Sequence, residues 1–407
     1  MKSEFDLVIV GGGMVGASLV RALVGCGLSV ALVEAWPLDS EVQPSYDDRA
    51  IALAQGTRVI LESIGVWERL AGDAEPIRRI HVSDRGQFGF ARLDCRDHDL
   101  EALGYVATGH ALGQALLRGV GDLPGVTLLC PARLDSFELD DQAARLTLSL
   151  DEGERRISAR LLVAADGARS MVRAALGIEA REWGYGQSAI ISNLTSGAPA
   201  PGVAYERFTD AGPMAMLPLS GARYALVWTV ADTEVEEVMA LDEPQFLARV
   251  QERFGNRLGR FQRAGRRSSY PLKLLLAREQ VRPRLALIGN AAHAVHPITG
   301  QGFNLGIRDV AVLAEVLGDA RAAGADIGAL ETLRAYADWR QRDQQGVALM
   351  TDGLVRLFTN PLPPVRLARN LGLLALDLAP PLKQLLSRQF MGLNGRLPRL
   401  ARGVGLE

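Results

Sequence analysis

Three glycines stand where the chain could bind the pyrophosphate of a nucleotide. They follow the apolar run Phe5 to Val10 with the spacing Gly11-x-Gly13-x-x-Gly16, and a helical pattern comes directly after them. The first glycine permits a tight turn, the second lets backbone amides approach phosphate oxygens, and the third allows the helix to pack closely on the strand. The helix N-terminus then stabilises the phosphate charge. Glu34 ends the next apolar run, where a carboxylate can accept hydrogen bonds from ribose hydroxyls, so the segment predicts a dinucleotide site.

Two later segments narrow the choice of dinucleotide. Asp166-Gly167 comes directly after the apolar run Leu162 to Ala165. The segment Leu287 to Asn304 contains Gly289-Asn290 and then Pro297-Ile298-Thr299-Gly300-Gln301-Gly302. The glycine turn alone does not separate FAD from NAD, and each later segment alone could be a plain turn or loop. Together, in this order across about three hundred residues, the three segments form a strong signal.

In these three segments the chain resembles the flavoprotein aromatic hydroxylases. That family has a dinucleotide turn, a DG segment, and a GD segment followed by P-x-x-G-Q-G. The segments Asp48 to Leu53, His81 to Gly86 and Glu206 to Pro218 narrow the resemblance to the ubiquinone-biosynthesis hydroxylases, and the similarity extends to about Phe358. The resemblance implies an FAD-dependent monooxygenase that oxidises NAD(P)H, consumes O2 and hydroxylates a prenylated phenol through a C4a-hydroperoxyflavin. No second GxGxxG is present, so the nicotinamide is expected to bind transiently.

The same resemblance implies a set of cofactor contacts. Arg49 would neutralise pyrophosphate charge, because a guanidinium is always charged and binds oxygens in pairs. His110 and Gln114, one helical turn apart, would face the ribose and ribityl region, and Gln114 is the favoured contact. Asn290 stands where the family usually has Asp, and its amide can still bond ribityl hydroxyls without carrying charge. The expected cofactor-binding residues are Gly11, Gly13, Val15, Gly16, Glu34, Arg49, Gln114, Asp166, Gly289, Asn290, Pro297, Gly300, Gln301, Gly302, Phe303 and Asn304.

The loop that starts at Pro297 is expected to carry the catalytic role by positioning the flavin. Pro297, Gly302 and Phe303 would line the isoalloxazine. Backbone amides of Gly302 and Phe303 would lie near its N1–C2=O edge, where they would stabilise negative charge on reduced flavin.

No dedicated acid or base can be assigned from the sequence. His81, His293 and His296 are candidates because histidine titrates near physiological pH. For His293 and His296 a structural role in the loop is favoured, since polar loop residues commonly position the backbone. Contacts with the phenol are expected at four positions of a predicted sheet: Tyr205, Met216, Pro218 and Arg223. No metal site is expected.

These residues require an α/β fold to position them. The run Phe5 to Val10, a helix over Ala17 to Val24 and a strand over Leu28 to Glu34 predict a βαβ unit. Helical patterning is also expected from Ala50 to Leu70. Short β-prone runs between Gly184 and Thr229, separated by Gly, Pro and Ser, predict an antiparallel sheet in a second lobe.

The expected fold class is thus a Rossmann-like FAD-binding domain of the aromatic hydroxylase type, with an inserted antiparallel-sheet substrate domain and a C-terminal helical tail. The predicted FAD-binding segments are residues 1–75, 101–180 and 276–350. The predicted substrate-domain segments are 76–100 and 181–275, and the tail is 351–407.

The tail is basic and rich in leucine. From Gly353 onward its only acidic residues are Asp377 and Glu407, and its basic residues are Arg356, Arg366, Arg369, Lys383, Arg388, Arg396, Arg399 and Arg402. A basic amphipathic segment can lie on an acidic membrane surface or bind a partner. The alternative is a helix that packs on the protein's own core and leaves its arginines in water.

Composition limits the partners and the compartment. A net charge of −2 provides no field that would favour nucleic acid. Three cysteines without CxxC spacing argue against a disulfide framework and against a zinc site. No apolar run reaches the ~18 residues needed to cross a bilayer, and the N-terminal apolar stretch lacks a basic segment before it. We expect a cytoplasmic protein that contacts the inner face of the membrane through its tail, with other ubiquinone-biosynthesis proteins as partners.

Four alternatives to a prenylphenol hydroxylase stay open at this point. The chain could hydroxylate a small soluble aromatic acid, or it could be a non-catalytic flavoprotein that scaffolds a quinone-making complex. An amine or hydroxy-acid oxidase on a related fold would turn over without NAD(P)H. A plain NAD dehydrogenase would be colourless when purified.

Overall fold

The computed structural model describes residues 3–38, 49–210, 212–296, 298 and 300–406. Within these ranges the chain forms twenty strands and eleven helices. The strands are β1 Glu4–Val10, β2 Val30–Val33, β3 Ala50–Ala54, β4 Glu75–Ile77, β5 Arg79–Asp84, β6 Phe90–Asp94, β7 Gly104–Thr108, β8 Val126–Leu129, β9 Ala132–Leu139, β10 Ala144–Leu150, β11 Gly153–Ala164, β12 Ala180–Ser196, β13 Val203–Thr209, β14 Gly212–Leu219, β15 Arg223–Ala231, β16 Phe261–Ala264, β17 Ser268–Ala277, β18 Val281–Arg282, β19 Leu285–Leu287 and β20 His293–Ala294. The helices are α1 Met14–Ala22, α2 Gln55–Ser63, α3 Trp67–Leu70, α4 Gly109–Leu117, α5 Met171–Ala175, α6 Val235–Ala240, α7 Glu243–Phe254, α8 Gln301–Ala322, α9 Leu330–Thr359, α10 Pro363–Leu378 and α11 Pro380–Phe390.

The first sheet contains the predicted βαβ unit. Its order is β18–β19–β11–β1–β2–β8, and β10 and β9 extend it from β11. Strand β1 pairs in parallel with β11 and β2. Leu7 and Ile9 face α1, α4 and α8, whereas Val8 and Val10 face β9 and β10. Because both faces of β1 are buried, its sequence is continuously apolar, which is why the strand could be predicted.

The helix predicted from Ala50 to Leu70 is wrong over its first five residues. Ala50–Ala54 is strand β3, which pairs antiparallel with β7 in a three-stranded sheet completed by β4. The Asn304 side chain accepts from Ala54 N at 2.8 Å and donates to Ala52 O at 2.9 Å. These tertiary contacts override the helix propensity of an alanine-rich segment, and helix α2 begins only at Gln55.

The second sheet has the order β20–β17–β12–β15–β14–β13–β5–β6, with β16 on the edge of β12. All its pairings are antiparallel except that between β13 and β5, which is parallel. Helix α7 covers one face through Phe246, Val250 and Phe254. The predicted α/β fold with a second, antiparallel sheet is confirmed. The division into segments stays a prediction, since β20 joins this sheet from within the range expected to bind the cofactor.

The tail forms α10 and α11, and its inner face packs on the hairpin of β5 and β6. The Asp84 carboxylate accepts from Arg369 Nε at 2.8 Å and from Asn370 Nδ2 at 3.0 Å. Gly89 N donates to Asn370 Oδ1 at 2.9 Å, and Arg92 N donates to Asp377 Oδ1 at 2.9 Å. The outer face is different: Leu367, Leu371, Leu378, Leu382 and Leu385 are all more than half exposed. No helix in the described ranges combines the length and apolarity required to cross a membrane.

Candidate active site

A cavity of about 820 Å³ lies between the glycine turn of the first sheet and the open face of the second. Its wall has four parts, which come from the first βα turn, from β3, from the first turn of α8 and from the second sheet, and α11 adds an edge. The wall includes Gly13, Met14, Val15, Arg49, Ala52, Asn290, Gly300, Gln301, Gly302, Phe303, Ala204, Tyr205, Glu206, Ala215, Leu217, Val227, Ser387, Phe390 and Met391. One continuous space therefore joins part of the predicted cofactor set to the predicted substrate lobe. Glu34, Gln114 and Asp166 do not line it.

The glycine turn is built without room for side chains. Gly11 has φ +102°, and a Cβ there would lie 2.5 Å from Ala165 O. A Cβ on Gly16 would lie 2.0 Å from Gly11 O. The turn therefore brings the amides at the start of α1 to the cavity wall, where a pyrophosphate would meet the positive end of the helix dipole.

Glu34 is oriented by the turn that it follows. Its Oε2 accepts from Gly12 N at 2.7 Å and its Oε1 accepts from Trp36 N at 2.8 Å. The side chain is 6% exposed. Each carboxylate oxygen has a further lone pair, so hydrogen bonds from a ribose remain available.

Asp309, which the sequence reading did not single out, organises the third motif. Its Oδ2 accepts from Gly289 N at 3.0 Å and pairs with His293 Nε2 at 2.6 Å. Its Oδ1 accepts from Arg340 Nε at 2.7 Å and from Gln344 Nε2 at 2.9 Å. Burial opposes ionisation, but the His293 ring and the Arg340 guanidinium outweigh it and hold the pKa of the Asp309 carboxyl well below its ordinary range. The sequence offers one signal for this role, because Asp309 is an acidic residue within the largely apolar segment from Leu305 to Leu317.

The three candidate histidines do not reach the cavity in the part of the chain that the structure describes. His293 is paired with Asp309, and His296 Nδ1 accepts from Ile298 N at 3.1 Å. His81 packs edge-on against Tyr205, with ring centroids 5.8 Å apart. Burial lowers the pKa of His81 and of His296 to about 4, so both are neutral at pH 7. Their geometry agrees with a structural role.

The first turn of α8 faces the cavity with its backbone, while two of its side chains are used elsewhere. Asn304 bonds β3 and also donates to Gly300 O at 2.8 Å, and Gln301 Nε2 donates to Phe390 O at 3.1 Å. These hydrogen bonds tie both side chains to the protein, and the contacts of Gln301 and Asn304 with the cofactor stay a prediction. A Cβ on Gly302 would meet nothing within 4 Å. Gly302 and Phe303 also line the cavity, so the unpaired amides of this helix N-terminus lie where they would meet a flavin N1–C2=O edge bound there.

The other predicted cofactor residues lie at different distances from the cavity. The Arg49 guanidinium lies over the Tyr270 ring, 4.7 Å from its centroid, at the cavity wall. Asp166 Oδ2 accepts from Val172 N at 3.2 Å, whereas its buried Oδ1 has no hydrogen-bond partner among the described residues. Gln114 is exposed and stands outside the cavity wall. Pro297 lies outside the described residues.

Three of the four predicted substrate contacts do not line the cavity. Side chains alternate along a strand, so Met216 and Pro218 face away while Ala215 and Leu217 face the cavity. Met216 is fully buried in the core under α7. Arg223 is exposed and donates to Ser220. Tyr205 borders the cavity, but its ring packs on the opposite face of the sheet, with its centroid 5.8 Å from that of His81 and 5.7 Å from that of Phe254. Glu206, the next residue, faces the cavity and was not predicted.

The residues present fit FAD better than a plain turn and loop. The N-termini of α1 and α8 line one cavity, and the space around Gly302 at the second of them is open. Among the described residues no group donates to the buried Asp166 Oδ1. Residues 4–345 match the family described as FAD binding domain. The chain belongs to this FAD-binding family.

Relatives in this family agree with that assignment. Ubiquinone hydroxylase UbiL of Rhodospirillum rubrum is 42% identical over 407 residues, covering 98% of this chain and 93% of that protein. The 3-demethoxyubiquinol 3-hydroxylase of Escherichia coli is 34% identical over 394 residues, covering 95% and 98%. Crystalline p-nitrophenol 4-monooxygenase PnpA from Pseudomonas putida has the same fold, with a TM-score of 0.79 at 21% identity over 97% of this chain and 100% of that one. The protein is an FAD-dependent monooxygenase of the family that contains the ubiquinone hydroxylases.

Proposed function

We propose that the protein hydroxylates a prenylated phenol in ubiquinone biosynthesis, with NAD(P)H as transient reductant and O2 as the second substrate. The expected conversion is 2-octaprenyl-6-methoxyphenol to the corresponding benzoquinol. The observation that carries this proposal is that the predicted flavin loop and an apolar sheet face line the same cavity. Two of the relatives, UbiL of Rhodospirillum rubrum and UbiM of Neisseria meningitidis, are ubiquinone hydroxylases, which supports the same substrate class.

Bound FAD would supply the redox and oxygen-transfer chemistry, and the chain supplies orientation and exclusion of water. The glycine turn and Glu34 would hold the pyrophosphate and ribose. Gly302 and Phe303 would hold the ring edge through their amides. Ala215, Leu217 and Val227 form an apolar wall that keeps the reacting region dry, which prevents unproductive loss of the activated oxygen.

A small aromatic acid fits the cavity less well. The strands β13, β14 and β15 place no cation on the cavity wall within their described residues, and the one charged side chain they place there is the acid Glu206. A carboxylate substrate against these three strands would find no counter-ion on them, because the cations that line the cavity, Arg49 and Lys273, belong to other elements.

We expect the purified protein to be yellow and to oxidise NAD(P)H faster when a prenylphenol is added, with one oxygen atom entering the ring. Consumption of NAD(P)H and formation of the hydroxylated phenol would be measured together, with the O-methyl ether of the same phenol as control. FAD binding without phenol-stimulated turnover, over a panel of prenylphenols and aromatic acids, would favour the scaffold alternative. Turnover without NAD(P)H would favour an oxidase.

We further propose that α10 and α11 lie on an anionic membrane. Their outer face carries the five leucines that are more than half exposed on these two helices, and Arg366 and Arg388 are exposed on the same helices. Such a face combines apolar burial with attraction to acidic lipids. Because Ser387, Phe390 and Met391 at the end of α11 line the cavity, a lipid-tailed phenol could pass from the bilayer directly into the site.

Replacing Leu378, Leu382 and Leu385 together by serine should weaken binding to vesicles of phosphatidylcholine and phosphatidylglycerol at least about tenfold, because three side chains lose their burial in lipid. Co-flotation with the vesicles measures this. Leu349→Ser, a substitution at a leucine that is 74% exposed on α9, serves as the control. Equal flotation of the triple variant and wild type would contradict membrane docking. Deleting the tail is a poorer test, since α10 also packs on β6 and α11 closes the cavity.

A further inference from the structure

Glu206 is an acid in apolar surroundings at the centre of the substrate wall. Within the described residues it is the one charged side chain that β5, β13, β14 and β15 place on the cavity. In the sheet it lies opposite Val82 on one side and Ala215 on the other, and Val227 follows Ala215 in the next strand. Burial of a carboxyl group among such neighbours is unfavourable unless a partner compensates for it.

No such partner is found for Glu206 within the described ranges. Glu206 Oε1 is buried and has no hydrogen-bond partner among the described residues. Burial raises the pKa of Glu206 to about 8, and no charged neighbour contributes to the shift. Within the described residues, the other titratable side chains that face the cavity are Arg49, Tyr270 and Lys273. Tyr205 also borders the cavity, but its ring packs against His81. His81 and Arg207 lie on the opposite face of the sheet. The carboxyl is therefore mostly protonated at pH 7, and the ionised form, which alone can accept a proton, becomes the main form in mildly alkaline solution.

We propose that Glu206 binds the ring hydroxyl of the phenol and accepts its proton as the ring is hydroxylated, an inference that rests on the proposed function. The phenol O–H bond breaks, the proton moves to the Glu206 carboxylate, and the electron pair stays on the ring oxygen. The ring becomes more electron-rich, so a ring carbon bonds more readily to the O2-derived oxygen atom that bound FAD would supply, while the O–O bond breaks. The hydrogen on that carbon then leaves as a proton and restores the hydroxyl on the ring oxygen. After the product leaves, the carboxyl returns the proton to water. The hydroxyl is the one hydrogen-bond donor of a prenylphenol, so it is the group that an isolated acceptor on an apolar wall selects.

The hydrogen bond can be tested without turnover. Dissociation constants would be measured with the oxidised, FAD-loaded protein for a phenol with one isoprene unit and for its O-methyl ether, from about pH 6.5 to about pH 9, where a phenol of pKa ~10 stays protonated. In wild type the preference for the phenol over the ether should grow about tenfold across this range, because a charged acceptor forms the stronger bond. In Glu206→Gln the preference should stay constant. Glu138→Gln, the same change at an exposed position of β9, should behave as wild type.

Turnover gives the second readout. Glu206→Gln should lower the hydroxylation rate by about 10²- to 10⁴-fold, as expected for loss of a general base. The deficit should shrink with phenols that are more acidic, which a structural defect would not produce. If this variant does not bind FAD, the pH dependence of the preference for the phenol over the ether in wild type tests the role of Glu206 by itself.

The outcomes separate the two proposals. Phenol hydroxylation with unchanged rate and pH dependence in Glu206→Gln would overturn the role of Glu206 and leave the proposed function standing. A pH-independent preference in wild type would do the same. If wild type hydroxylates no phenol at all, both proposals are overturned.

Discussion

Replacing Gly16 by alanine should yield a protein that is purified without FAD. The added Cβ would lie 2.0 Å from Gly11 O, which is backbone and cannot rotate away. The turn would have to open, and the amides at the start of α1 would leave the position where they meet the pyrophosphate. Overpacking at such a buried position also lowers the free energy of unfolding by about 1–3 kcal/mol. The ratio of flavin to protein absorbance measures the first effect, and thermal unfolding measures the second.

A second glycine provides the control for this experiment. Gly346 is exposed in the middle of α9, and a Cβ there would meet nothing within 4 Å. Gly346→Ala should keep FAD fully and raise stability by up to about 1 kcal/mol, because alanine favours the helix. Retention of FAD by Gly16→Ala at the wild-type level would show that the turn does not hold the cofactor.

Asp309→Asn should produce the largest loss of stability, about 3–5 kcal/mol, which is the usual effect of breaking a buried ion pair from one side. The substitution leaves His293 and Arg340 inside the protein without the carboxylate that both contact. The Gly289 turn loses an acceptor as well, so FAD binding should weaken together with stability. Urea unfolding measures the free energy, and Asp338→Asn, an exposed position on α9, is the matched control.

The pH dependence of this variant has a defined sign. The pKa of Asp309 is lower in the folded protein than in the unfolded chain, so its contribution is present above the unfolded value of ~3.9 and is lost as pH falls further. Wild type should therefore lose stability relative to Asp309→Asn in acid below about pH 4. An unfolding free energy of Asp309→Asn within about 1 kcal/mol of wild type at pH 7 would contradict the stabilising role of this network.

The elements that could be predicted from sequence are those in which a local pattern decides the structure. The strand before Gly11 is buried on both faces and reads as continuously apolar, and the spacing of the glycines reflects contacts within the turn itself. Strand β3 could not be predicted, because its conformation depends on pairing with β7 and on Asn304, which is 250 residues away from Ala54 in the sequence.

The substrate wall shows a second limit. The sequence places β14 within the sheet, but which of its two faces meets the cavity depends on the packing of α7 against the other face. Met216 and Pro218 were therefore chosen from the wrong side of the strand, while Glu206, one residue after Tyr205, lies on the cavity side. Asp309 was missed for a related reason, since its partner Arg340 lies on another helix.

The cavity wall also has a consequence for how the protein is made. Gly13 and Met391 line the same space, and Gly56 N donates to Met391 O at 2.8 Å. During translation the glycine turn leaves the ribosome long before α11 does. The nascent chain therefore exposes the apolar face of β14 and β15 until that helix has been synthesised. We therefore expect stable binding of the cofactor to come late in biosynthesis. Chains truncated before residue 391 would expose an open apolar cleft to chaperones and proteases.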